Sequence, residues 1–240
     1  MTFGEVKRRS TDFAAFLQQC DIKPGERVAI MLPNMLVYPI AMLGALRAGA
    51  IVVNINPQYT ARELQHQLED SGASLIVVLR HLLPTVKDAS KGTAIKRIVS
   101  AEIGDLFPTW KRYLVNTLAR RVTPPVSTEA IRNTVPFLRA LHSGAGGALT
   151  PVHVTTEDLA FLQYTGGTTG IAKGAMLSHR NIVANVMQLS AFFAGHTDPD
   201  GDIVITALPL YHIFALTFNC FGFMLNGGTN YLITEAFFSK

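Results

Sequence analysis

The chain has 240 residues, 48% of them hydrophobic and 16% charged, with a formal net charge of +4. That composition excludes a disordered chain, and without a long basic run it argues against a nucleic-acid partner. Cys20 and Cys220 are far apart and show no Cys/His spacing for zinc; with no secretory signal at the start, they fit a reducing, cytoplasmic setting.

In chain order, VKRRSTDFAAFLQQ (6–19) places Phe13, Phe16 and Leu17 at helical spacing. PGERVAIMLPN (24–34) reads as a turn followed by a short strand centred on Val28–Met31. YPIAMLGALRAGA (38–50) is an apolar helix ending at Gly49, and the β-branched IVVNINP (51–57) is a buried strand. Thr60 and Glu63 form a capping box that starts a helix running to Gly72. LIVVL (75–79) and KRIVS (96–100) are two further strands. Apolar strands alternating with helices predict an α/β fold, with a parallel sheet covered on both faces.

Residues 101–150 break that rhythm. Pro124-Pro125 and SGAGGALT (143–150) are loop chemistry. Between the sheet and these loops, FPTWKRYLVNTLARRV (107–122) puts Trp110, Tyr113, Leu114, Thr117 and Leu118 on one helical face. Lys111, Arg112, Arg120 and Arg121 are the only charges from 106 to 128. Two readings stay open for this helix: a surface helix packing its stripe on the body, or a basic amphipathic helix at an anionic membrane surface.

After residue 150 the alternation resumes. DLAFLQYT (158–165) is a strand, GAMLS (174–178) a returning strand, and Ser178 caps a helix over 179–194. That helix has Ile182, Val183, Val186, Leu189 and Phe193 on one face. The stretch between the strands, YTGGTTGIAKG (164–174), is therefore a hairpin tip with four glycines, three threonines and a lysine. Glycines let successive backbone N–H groups converge on an anion; Thr165, Thr168 and Thr169 add hydroxyls, and Lys173 adds a cation. The GxxxxGK[ST] phosphate loop, GxGxxG and GxSxG are all absent, and a plain glycine-rich turn remains the alternative. Residues 203–225 carry no Lys, Arg, Asp or Glu and are long enough to span a bilayer. Pro209, His212 and Asn219 interrupt them and basic flanks are missing, so a buried strand, loop and helix is the better expectation.

YTGGTTGIAKGAMLSHRN resembles the signature phosphate loop of the adenylate-forming enzymes. PGERVAIMLPN, LRAGAIVVNINPQYTARELQHQLEDSGAS (46–74) and ALPLYHIFALTFNCF (207–221) resemble the same superfamily in the same order, most closely its bacterial long-chain fatty-acid–CoA ligases. The likeness is weakest over 80–150 and in the last six residues. The resemblance implies an incomplete large N-terminal domain of the adenylate-forming fold. Within it, 1–100 is an α/β part, 101–150 a variable segment, and 151–240 the phosphate-loop and acyl-pocket part.

The implied reaction joins a long-chain fatty acid to coenzyme A through an acyl-adenylate, using ATP and Mg2+. By that resemblance Thr165, Gly166, Gly167, Thr168, Thr169, Gly170 and Lys173 hold the phosphates, and Thr165 stands on the magnesium side. His212 and Phe214 fall in the acyl and adenylate pocket, His212 without a proton-transfer role. Taken alone, His212 reads more readily as a packed or capping histidine, and Tyr164 as a strand residue rather than a ligand. The family's downstream motifs and its small C-terminal domain are not found here, so the 240 residues alone are expected not to make acyl-CoA. A nucleotide- or acyl-binding module at a membrane surface, or an adenylating ligase for another carboxylate, is the alternative. Open strand edges make a homodimer an expected partner arrangement.

Overall fold

The computed structural model of the chain describes residues 1–123, 133–165, 172–195 and 201–234. Its elements run α1 (Phe3–Gln19), β1 (Arg27–Met31), α2 (Val37–Arg47), β2 (Ile51–Asn54), α3 (Ala61–Ser71), β3 (Leu75–Leu79), α4 (Leu83–Ala89) and β4 (Arg97–Ala101). They continue with α5 (Thr109–Val122), β5 (Thr134–Pro136), α6 (Phe137–Ala145), β6 (Leu159–Thr165), β7 (Lys173–Ser178), α7 (His179–Phe193) and β8 (Ile203–Thr206). Last come α8 (Ile213–Ala215), a π-helical stretch (Leu216–Gly222), α9 (Phe223–Leu225) and β9 (Thr229–Leu232).

Seven strands form one sheet in the order β5-β4-β3-β1-β2-β6-β7. All neighbours are parallel except β6 and β7, so the fold class is the expected helix-covered α/β sheet with one antiparallel edge. β1, β2 and β3 are buried along nearly their whole length, because helices cover both faces. On one face Phe13, Phe16 and Leu17 of α1 pack with Ile40, Met42 and Phe137 of α2 and α6. On the other, Leu64 and Leu68 of α3 pack with Leu83 and Val86 of α4. The cap of α3 is the one the sequence predicts: Thr60 accepts the Glu63 N–H, Glu63 reaches back, and Gly72 closes the helix at φ 59. β8 and β9 make a separate two-stranded parallel pair.

Three observations change the sequence picture. Residues 137–145, read as part of a loop-rich segment, form α6, and β5 from the same segment joins the main sheet. On α7 Ile182 and Val186 are buried, but Val183 is exposed. The stripe of α5 does not pack on the body: Trp110 is 72% and Tyr113 77% exposed. Among the described residues no helix is long and apolar enough to cross a membrane.

The loop after β4 carries a buried acid. Asp105 accepts the Glu102 N–H at 2.9 Å; burial, helped by the Glu102 charge, pushes its carboxyl up to about 6 against that hydrogen bond and the pull of Arg112 and Arg120. A carboxyl raised in the fold binds its proton more tightly there than in the unfolded chain. Its contribution therefore falls as pH rises from about 4 to about 6 and is flat above, by roughly 2–3 kcal/mol. Asp105→Asn is expected to remove that slope, gaining on the native protein at pH 7 relative to pH 4 in urea unfolding. An equal difference at both pH values would show that Asp105 titrates normally.

Candidate functional site

The C-terminal ends of β1, β2 and β6 lie side by side at one edge of the sheet, where ligands bind in open α/β folds. β6 and β7 form the expected hairpin stem: Tyr164 stands opposite Gly174, and Thr165 opposite Lys173 at the last pair before the tip. Both Thr165 and Lys173 are exposed, so a hydroxyl and an ammonium flank the mouth of the glycine loop. Gly166, Gly167, Thr168, Thr169 and Gly170 lie outside the described residues.

The stem is braced from behind. The Tyr164 hydroxyl donates to the Asp70 carboxylate on α3. Burial and that acceptor raise the phenol well above its ordinary value, so the group stays protonated. A Cβ at Gly174 would come within 3.0 Å of the Tyr164 ring, so a larger residue would crowd that side chain. Tyr164 thus acts as a strand residue that fixes the stem.

The segment carrying His212 is held to the same edge by side chains that the sequence did not single out. Asn34, just past β1, donates to the carbonyls of Thr206 and Leu208 at 2.9 Å each and accepts the Leu210 N–H at 2.7 Å. The buried Tyr38 hydroxyl lies 2.8 Å from both Asn54 Oδ1 and the Leu210 carbonyl. Asn54 donates to Gln163 Oε1 at 3.1 Å, and Gln163 donates to the Tyr211 carbonyl at 2.9 Å. Gln163 precedes Thr165 by two residues on β6, so one chain of hydrogen bonds joins the loop stem to the residue before His212. The available signal was polarity out of place: Asn54 closes an apolar strand, and Tyr38 opens an apolar helix.

His212 itself is exposed, and its Nδ1 accepts the Phe214 N–H at 3.4 Å, which caps the helix that follows. Phe214 stacks on Phe218 at 5.6 Å and 16°, and Phe218 meets Phe193 and Phe223 edge-on. A cavity of about 400 Å³ opens beside Phe214, lined by Ile182, Leu189, Ile213, Thr217 and Phe218. A second, of about 210 Å³, lies on the far side of Phe218, against Phe193 and Phe223. Thr217 and Asn219 sit on the π-helical stretch, a geometry often found at functional sites. Cys220 is buried and its thiol is pushed up to about 12, so it carries no nucleophile.

Thr165 and Lys173 thus stand at the end of the hairpin stem, the residue before His212 is hydrogen-bonded to the same strand, and apolar space lies beside Phe214. The family described as AMP-binding enzyme matches residues 1–239. The chain belongs to that family. It is 49% identical over 236 residues to a protein named long-chain-fatty-acid–CoA ligase from Escherichia coli O157:H7, covering 98% of this chain and 42% of that one. It is 45% identical over 240 residues to one of the same name from Haemophilus influenzae, again covering 42% of its length. The crystal structure of a long-chain-fatty-acid-CoA ligase from Archaeoglobus fulgidus superposes with a TM-score of 0.73 at 26% identity, over 98% of this chain and 40% of that one. The chain thus spans about two fifths of the length of these AMP-binding family members.

Proposed function

We propose that these 240 residues form part of the N-terminal domain of a long-chain fatty-acid–CoA ligase and bind its ATP through the 165–173 loop. The observation that carries this reading is the stem geometry, with Thr165 facing Lys173 beside the segment of His212. The donor set suits a polyphosphate: Lys173 offers a point charge, and Thr165 and its neighbours in sequence offer hydroxyls and glycine backbone. Magnesium in such sites keeps waters and phosphate oxygens as most of its ligands, so the single Thr165 hydroxyl fits its side of the loop. When bound, the nucleotide would supply the α-phosphorus that a carboxylate attacks, with pyrophosphate as the leaving group. This chain's own part is to hold charge and exclude water.

His212 orients the start of the helix and Phe214 gates the apolar space behind it. That space suits a long acyl chain more than a small polar acid, which supports a long-chain fatty acid as substrate. Coenzyme A is the co-substrate of the whole protein. The free cysteines fit a cytoplasmic setting. Residues 107–122 are assigned to peripheral membrane contact, and the exposed Ile203, Ile205 and Tyr231 to burial against another polypeptide, a second copy among the candidates.

Calorimetric titration with Mg-ATP tests the nucleotide reading. A Thr168→Ala, Lys173→Ala variant is expected to bind about ten- to a hundredfold more weakly than the native chain, the loss of charge-assisted hydrogen bonds worth roughly 1.5–3 kcal/mol. Equal affinity in both, with both folded by circular dichroism, would make the loop a plain turn.

A further inference from the structure

α5 is attached the wrong way round for a surface helix. None of its 14 residues is buried. Its polar side is the side tied to the body: Asn116 Oδ1 accepts the Gly104 N–H at 2.8 Å, and Arg120 pairs with Glu102 at 2.6 Å. Glu102 is shared with Arg80 at 3.1 Å. A Cβ at Gly104 would come within 3.1 Å of the Arg112 carbonyl oxygen, so the loop and the helix backbone are in close contact there. These ties leave Trp110, Tyr113, Leu114 and Leu118 pointing outward, each more than half exposed. A helix free to roll would turn those side chains inward; the clasp prevents it.

The charges around that outward face have one sign. Lys111 and Arg121 are exposed along it, Lys111 with its ammonium 5.0 Å above the Phe107 ring, and no Asp or Glu occurs from 106 to 128. Trp and Tyr are the side chains favoured at the headgroup level of a bilayer, where an apolar ring and a polar tip are both satisfied. Flanking Lys and Arg can lay their stems on the apolar face while their charges reach lipid phosphates.

We propose that α5 is an interfacial helix that docks this protein on an anionic phospholipid surface, with Trp110, Tyr113, Leu114 and Leu118 entering the headgroup region and Lys111 and Arg121 gripping the phosphates. This deepens the membrane contact assigned above, and it is independent of the nucleotide reading, because the test contains no ATP.

Trp110 is the single tryptophan of the chain, so its emission reports on this helix alone. Titration with vesicles of phosphatidylglycerol and phosphatidylcholine is expected to shift the emission to the blue, with quenching by lipids brominated on the acyl chain. Pure phosphatidylcholine vesicles are expected to leave the emission nearly unmoved. Lys111→Glu with Arg121→Glu, both exposed and remote from the core, is expected to weaken the response roughly tenfold or more while leaving the far-ultraviolet spectrum unchanged. Leu114→Ser with Leu118→Ser is expected to abolish the quenching. Emission unmoved by anionic vesicles overturns the proposal, as it would if the face belonged to a protein partner. An equal shift with both vesicle types, or sedimentation with vesicles without a Trp110 response, overturns it too, since then a different apolar surface does the binding.

Discussion

Asn34→Ala is expected to destabilise the protein by about 3–4 kcal/mol in urea unfolding, far more than its size suggests. Asn34 is 4% exposed and makes three hydrogen bonds to backbone more than 170 residues away. The truncation leaves the Leu210 N–H and the carbonyls of Thr206 and Leu208 without that partner, in a region too closed for water to replace it at full strength. Each such orphan costs roughly 1–3 kcal/mol. Native-state hydrogen exchange gives the local readout: the Leu210 amide should lose protection first, before the amides of β1 and β3. Asn34→Asp retains an acceptor for Leu210 but sets a negative charge against two carbonyls, and is expected to rescue little. A cost below about 1 kcal/mol for Asn34→Ala would mean that Tyr38 and Gln163 suffice to hold the segment.

This result bears on the site because the connected set Asn34, Tyr38, Asn54 and Gln163 ties residues 206–211 to the sheet edge. The wall bearing His212 and Phe214 is placed by long-range polar contacts, and the loop stem by backbone pairing. Loss of the first should disorder the pocket wall and spare the stem. In the Asn34 variant, Mg-ATP affinity is therefore expected to fall less than in the Lys173 variant.

Local signals were legible wherever a residue acts on its neighbours. The Thr60–Glu63 box, the αL turn at Gly72, the Ser178 cap and the β-branched runs of β2 and β3 all work within four residues or one strand, and a single sequence displays them. The hairpin was legible because its glycines lie between two strand-like runs. The Asn34 network was not, because its partners are joined only once β1, β2 and β6 have aligned; an asparagine after a proline reads as a turn. The outward face of α5 was half legible. Its stripe and its charges were plain in the sequence, but the side that would meet the body was decided by Glu102 and Gly104, which precede the helix and look like loop.

The glycines of SGAGGALT show the same limit, and they lead to the second large effect. Gly144→Ala is expected to cost roughly 3 kcal/mol or more. A Cβ at Gly144 would sit 1.7 Å from the Asp12 carbonyl oxygen and 3.0 Å from the Phe16 amide nitrogen. Both obstacles are backbone of α1, so no side chain can swing aside and the two helices must separate. Separation loosens Phe13 against Phe137, whose rings lie 5.3 Å apart with no exposure to water. It also strains the Gln19–Ser143 pair, in which the Ser143 hydroxyl donates at 2.8 Å. Because α6 follows β5 without a break, the sheet edge would move with it.

Gly146→Ala is the matched control: its Cβ would meet nothing nearer than 3.7 Å and its backbone is helical, so a change within about 1 kcal/mol, even a gain, is expected. Near-equal stabilities for the two variants would show that α1 and α6 can part freely. Glycine inside a helix costs about 1 kcal/mol against alanine, and at 144 that cost is offset by a helix contact that no other residue permits. At the other glycine-rich stretch, 164–174, Thr165 and Lys173 pair at the end of the β6–β7 stem, and 166–171 lie outside the described residues.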